Sequence, residues 1–212
     1  LKFIIYPTAE SAKEPLGSMG ADVPLAVLSR QSQHVANYFK QFFAQVSNPP
    51  IDPIRERLVM SLFTRIGESR NLLTESPEHT KQVHISQPVL SREDFYRIKA
   101  LEKKGFPWKV IDATFDVLAG ETLRNAIKRI NKDSENAIRE GYQILIISNR
   151  KEDEDRAPIP SLLAIGAVNH HLIAKRLRTK AGLIVEASDA WETHHFATMI
   201  GYGASGIYPY LT

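Results

Sequence analysis

The 212-residue sequence predicts an α/β fold. A parallel sheet of β-α repeats is expected over residues 105–212, behind a helical and loop region over 1–104, the two forming a single domain. Three observations carry this. Four short apolar runs recur in the second half, at Lys109–Phe115, Gln143–Ser148, Gly182–Ala187 and Gly206–Tyr210, each rich enough in Ile, Val or Tyr for a strand buried on both faces. Helical patterns separate these runs, and β alternating with α means parallel strands joined by right-handed crossovers. The first half lacks this rhythm.

In chain order, Val35, Tyr38, Phe39, Phe42 and Val46 form an apolar stripe that predicts a helix over 32–47, ended by Asn48-Pro49-Pro50. Asp52-Pro53 reads as the cap and first-turn proline of a second helix running to about Ile66. Residues 67–88 show no period and read as loop. Ser91 with Asp94 makes a capping box for a helix through Leu101. Residues 120–140 place Leu123, Ala126, Ile127, Ile130, Ala137 and Ile138 on one side, and Gly141 stops that helix. Pro160 suits a first turn, with a largely buried helix over Leu162–Leu177. Asp189 is the expected cap of the last helix, Glu192 lies in its first turn, and Phe196, Met199 and Ile200 supply its apolar face. The strand starts at 109, 143, 182 and 206 lie 34, 39 and 24 residues apart. Four such units are half of an eight-stranded barrel, so a partial or distorted TIM-barrel-like sheet is expected.

Composition narrows the chemistry. Hydrophobic residues are 43% and charged residues 24%, enough for an ordinary core. There is no cysteine, which removes disulfides, thiolate metal sites, iron–sulfur ligation and a cysteine nucleophile, and fits a cytoplasmic setting. A net charge of +3 from 27 basic and 24 acidic residues is too evenly spread for a nucleic-acid face. No apolar run is long enough to span a membrane. The start at Leu1 carries no secretory leader and no initiator Met, as expected of one internal piece of a longer enzyme.

The candidate motifs read mostly as structure. Gly17-Ser18-Met19-Gly20 matches neither nucleotide-binding glycine pattern and follows no strand, so a turn is the plainer reading. Gly201–Gly206 is glycine-rich but precedes a strand, whereas ligands sit after strands. His170-His171 and His194-His195 are adjacent on helices and diverge by about 100°, unlike a metal pair at i and i+4. A catalytic face would draw on the strand ends, with Asp112 and Glu186 as general bases if buried; both equally suit helix capping or pairing with Arg150 and Arg156. The loop Lys151–Arg156 stands where active-site loops occur, but its charge pattern reads as solvated.

Several segments resemble a known family. Glu14–Ser29 (EPLGSMGADVPLAVLS), Tyr38–Glu56 (YFKQFFAQVSNPPIDPIRE), Ile159–Ile173 and Ile184–Leu211 are similar, in order, to the central domain of the glutamate synthase large chain. Three positions depart from the family pattern: Asn149 where Asp is common, Asn169 in place of a His, and Tyr208 where Asn is common. The resemblance implies a parent enzyme that makes glutamate from glutamine and 2-oxoglutarate. A glutamine amidotransferase domain with an N-terminal cysteine would release ammonia into an internal tunnel. An FMN- and iron–sulfur-containing domain would consume it. This chain would be the non-catalytic domain between them, without cofactor or metal of its own. Its partners would be those two flanking domains and a small reductase subunit. The loops chosen to meet the neighbours or line the tunnel are Gly17, Ser18, Met19, Gly20 and Asp22, and Asn48, Asp52, Arg55 and Glu56, because they combine charge with Pro- and Gly-constrained backbone. An independent flavin- or phosphate-binding oxidoreductase domain of barrel type stays open as an alternative.

Overall fold

A computed structural model of the chain describes residues 5–12, 24–41 and 50–212. The chain forms two compact units, Leu1–Leu62 and Phe63–Thr212.

In the first unit, helix α1 spans Ile5–Ser11 and helix α2 spans Pro53–Val59, with 3-10 turns at Ala26–Leu28 and Val35–Phe39. The stripe at Val35 therefore makes one short turn rather than the start of a regular helix. The His34 ring accepts the Ala36 N–H at 3.2 Å, and Lys40 is extended behind the turn. A side chain that bonds the nearby backbone offers an alternative to the helical ladder. The remainder of that expected helix, 42–47, lies outside the described residues. Asp52 does cap α2, its Oδ1 accepting from both Ile54 N and Arg55 N at 3.0 Å. The helix stops at Val59 instead of Ile66, however.

The second unit opens with the residues that overrule that expectation. Strand β1 (Thr64–Ile66) pairs antiparallel with β2 (Val83–Ile85), and Ile66 is fully buried. Core burial of Ile66 outweighs continuation of the helix. Helix α3 (Arg92–Ala100) starts at Ser91, whose Oγ accepts the Asp94 N–H at 3.1 Å. Then follow β3 (Trp108–Asp112), β4 (Thr114–Asp116), α4 (Leu123–Arg139), β5 (Ile144–Ser148), β6 (Arg156–Pro158), α5 (Ser161–Ala174), β7 (Gly182–Ala187), α6 (Thr193–Gly201) and β8 (Gly206–Pro209). The run expected as one strand over 109–115 breaks at Ala113. Its second half leaves the parallel sheet and pairs antiparallel with β6.

The main sheet is four parallel strands in the order β3-β5-β7-β8. That order follows the chain without reversal, so right-handed crossovers put α4, α5 and α6 on one face. The opposite face is filled by Ile66, Leu90, Phe95 and Ile98, packed on Ile144, Ile146, Ile184 and Tyr208. Phe95 and Tyr208 stack with ring centroids 4.5 Å apart. Among the described residues no strand joins β8 back to β3, so the sheet is open and no closed barrel forms. Every residue of β5 and β7 is buried, as their unbroken apolar runs require. Gly141 takes φ +96 and ends α4, a conformation that favours glycine. No helix among the described residues is long and apolar enough to cross a membrane.

Candidate functional site

In an open parallel sheet, chemistry concentrates at the carboxyl ends of the strands. Here those ends carry Asp112, Ser148, Asn149, Glu186 and Ser188, and the structure sets them in two polar clusters, Asp112 in one and the other four in the second. Ser148 Oγ donates to Glu186 Oε2 at 2.6 Å, and Arg150 Nη1 reaches Oε1 at 3.2 Å. Asn149 Nδ2 donates to Ser188 Oγ at 2.9 Å and Ser161 Oγ at 3.3 Å, while its Oδ1 accepts the Ser188 N–H at 3.1 Å. Ser188 Oγ donates in turn to Glu152 Oε2 at 3.3 Å, and the Tyr210 hydroxyl donates to Oε1 at 3.0 Å. The Arg150 guanidinium lies over the Tyr210 ring, 4.7 Å from its centroid. On the β3 side, Thr114 donates twice to Asp112 Oδ1, and Arg156 Nη2 reaches Oδ2 at 3.2 Å.

These contacts answer the question left open for the two carboxylates. Glu186 is buried against Ser148 and paired with Arg150, and Asp112 is paired with Arg156 and, at 3.4 Å, with Lys151. Burial pushes the Asp112 carboxyl up, but the Thr114 hydrogen bonds and the two cations outweigh it and hold it below its ordinary value. Burial alone would lower the Arg150 pKa; the Glu186 charge and its hydrogen bonds hold it above the usual value instead. Asp112 is thereby held further from neutrality, where a general base works best.

Two members of this network escaped sequence reasoning. The segment 151–156 is a largely exposed loop, as its charge pattern predicts, but it is tied down: Asp153 Oδ1 accepts from the Asp155 and Arg156 amides, Glu152 ties to Ser188 and Tyr210, and Arg156 lies in β6. Asp189 caps the wrong helix from the standpoint of its sequence position. Its Oδ2 accepts the Ser161 N–H at 3.0 Å, at the start of α5, whereas the N-cap of α6 is Glu192. Pro160 is accordingly the N-cap of α5 rather than a first-turn residue.

Burial, with the Glu152 bond next, pushes the Tyr210 hydroxyl up to about 12. The unfolded value is about 10. A folded pKa above the unfolded one stabilises the fold fully below about pH 10 and loses that contribution as pH rises from about 10 to 12. Tyr210→Phe should therefore flatten the alkaline fall in stability over that window. Urea midpoints of both proteins at pH 9 and 11 check it: an equal fall in the two would refute the assignment.

The histidines behave as structure. His171 Nε2 sits 3.0 Å from Glu135 Oε2, and His195 is buried with Nδ1 accepting the Trp191 N–H at 3.1 Å. No group of three metal-ligating side chains gathers among the described residues. A polar cavity of about 500 Å³ lies near the amino end of β7, lined by Glu68, Arg70, Asn71, His79 and Lys180 among others, but Glu68 bridges Arg70 at 3.0 Å and Lys180 at 2.9 Å. Of the expected interdomain residues, Asp52, Arg55 and Glu56 fall on and beside α2, and every residue from 50 to 62 is exposed. Gly17, Ser18, Met19, Gly20, Asp22 and Asn48 lie outside the described residues.

Residues 1–212 match the family model described as glutamate synthase central domain. The glutamate synthase large chain (NADPH) of Bacillus subtilis is 48% identical over 210 residues, which is 99% of this chain and 14% of that one. The glutamate synthase (NADH) of Schizosaccharomyces pombe is 42% identical over 100% of this chain and 10% of its own length. The chloroplastic ferredoxin-dependent glutamate synthase of Oryza sativa is 43% identical over 100% of this chain and 13% of its own. The chain thus spans between a tenth and a seventh of the length of these relatives. Among solved structures, a FabK mutant of Thermotoga maritima aligns with a TM-score of 0.31 at 11% identity over 57% of this chain and 40% of that one, too slight a likeness to bear on the fold.

Proposed function

This chain belongs to the glutamate synthase central-domain family, and from that premise we propose that it is a non-catalytic module. It joins a glutamine amidotransferase domain to an FMN- and iron–sulfur-binding synthase domain of the same polypeptide and helps wall the ammonia tunnel between them. The parent enzyme makes glutamate from glutamine and 2-oxoglutarate in the cytoplasm. The observation that carries this reading is the strand-end polar contacts: Ser148, Asn149, Glu186 and Ser188 bond one another, Arg150 and Glu152, and Asp112 bonds Thr114, Arg156 and Lys151. A side chain engaged by structural partners is less available to a substrate.

The singly wound order β3-β5-β7-β8 supports half of a barrel, with Phe95, Ile98 and Leu90 packed on the face that a barrel would enclose. The carboxyl strand ends, where a barrel binds its ligands, are engaged by their own polar contacts, which favours FMN in the neighbouring domain. The absence of cysteine assigns the iron–sulfur cluster elsewhere as well. Relatives named for NADPH, NADH and ferredoxin match the whole chain at 42–48% identity, which favours a donor chosen outside it, by a reductase subunit or another domain.

The linker role rests on α2. A seven-residue helix with no buried residue is too short to stand alone in water and is suited to being covered by a neighbour. Ile54 and Leu58, 86% and 81% exposed, form one apolar edge of it, with Arg55 and Glu56 beside them. Arg55→Ala in the full-length enzyme should let glutaminase run ahead of glutamate synthesis, seen as free ammonia released per glutamine consumed. Unchanged stoichiometry would count against the role.

A further inference from the structure

The two edges of the parallel sheet are treated differently. Beside β8, the chain supplies its own cover: Ile207 N donates to Pro88 O and Leu90 N donates to Ile207 O, both at 2.8 Å, with Val89 bridging Ile207 in parallel. Beside β3 the described residues supply none along Trp108–Val110. The register fixes which groups are affected. Ile144 N donates to Pro107 O and Ala113 N donates to Ser148 O, so in the parallel ladder Lys109, Ile111 and Ala113 face β5. Trp108, Val110 and Asp112 turn their amides and carbonyls outward. The Asp112 carbonyl accepts from Arg129 Nη1 at 3.0 Å. The N–H and C=O of Val110 have no backbone partner among the described residues, and its side chain is 39% exposed on the face that elsewhere holds the core.

An exposed edge of this kind pairs with other strands unless something guards it. The usual guards are missing. Residues 108–112 hold no proline and form an unbroken register with β5. Lys109 is drawn away to Glu140 at 2.7 Å. The charge beside the edge is positive. Lys99 lies 4.4 Å from the centroid of the Trp108 ring, and Lys99, Lys103 and Lys104 have no carboxylate partner among the described residues, against the single carboxylate of Glu102 in that turn.

We propose that the β3 edge is a strand-addition site that takes up an extended, acidic segment from elsewhere in the same long polypeptide. The segment would bond the N–H and C=O of Val110, set an apolar side chain against Val110 and Trp108, and place its carboxylates near Lys103 and Lys104. This rests on the reading above that the chain works inside a longer enzyme.

Residue-resolved hydrogen–deuterium exchange on the full-length enzyme tests it. The Val110 amide should exchange about 100-fold or more slowly than an open amide, like its β5-bonded neighbour Ile111. Val110→Pro deletes that N–H without touching the β5 ladder, as an edge position allows. It should strip protection from one segment outside these residues and so identify it, whereas Val110→Thr should not. Lys103→Glu with Lys104→Glu should speed Val110 exchange severalfold; no change overturns the acidic occupant. Exchange at the open-amide rate overturns the proposal, and so does protection that vanishes on dilution, because a second copy would then be the occupant. A fast Val110 amide with ammonia coupling still sensitive to Arg55→Ala sinks strand addition alone. A slow amide with coupling indifferent to Arg55→Ala sinks the linker role alone.

Discussion

Asn149→Ala should destabilise the domain by about 2–4 kcal/mol and lower its melting temperature by roughly 5–15 °C, with the same shift in any activity-free assay of folding. Asn149 is 2% exposed and holds three groups at once: the Ser188 amide, the Ser188 hydroxyl and, at the start of α5, the Ser161 hydroxyl. Removing it leaves the buried Ser188 N–H without an acceptor, and an unmade buried bond costs more than a made one contributes. The loss also loosens β5 from β7 at the end where the two strands share no further ladder. Calorimetry of the variant checks this. A melting temperature within about 2 °C of the parent would mean that the network is decorative.

Gly182→Ala should cost as much, for a different reason. A Cβ at Gly182 would stand 2.6 Å from Ile66 Cγ2 and 2.7 Å from the Gly67 backbone nitrogen. The isoleucine is itself fully buried, and the nitrogen belongs to the chain leaving β1, so neither can swing aside. Gly182 opens a strand paired on both sides and buried throughout. Overpacking of that kind costs about 3 kcal/mol, at the upper end for such changes. Gly141→Ala is the contrast: nothing lies within 4 Å of its Cβ, and only the positive φ is strained, at about 1–2 kcal/mol. Equilibrium urea unfolding of the two variants should rank Gly182→Ala as the more damaging. The reverse order would show that β1 does not press on β7.

The legible parts of this fold are those that local chemistry determines. β7 and β5 appear where the apolar runs are unbroken, because burial on both faces leaves no alternation to misread. The starts of α2 and α3 appear at Asp52 and Ser91, because an N-cap is a matter of three or four adjacent residues. Long-range pairing hid the rest. The helix expected to reach Ile66 ends early because Ile66 packs on residues more than 100 positions away, and the split of 109–115 at Ala113 depends on β6 some forty residues later. The same holds at the site. The strand-end residues lie where the sequence predicts, but Glu152 and Tyr210, which close the contacts behind Ser188, are joined across 58 residues and leave no periodic trace. The family resemblance supplied what neither patterning nor spacing contained, the proposal that this domain sits beside two catalytic ones.

On this reading the strand ends hold the domain together and perform no chemistry. Glu186→Gln in the full-length enzyme tests it most directly. Gln keeps the size of the side chain and one acceptor for Ser148, and Arg150, about half exposed, can turn to water. A modest loss of stability is expected, with glutaminase and glutamate-forming rates per folded molecule within about threefold of the parent. Loss of either rate by about 100-fold or more in a folded protein, the mark of a missing general acid or base, would contradict it.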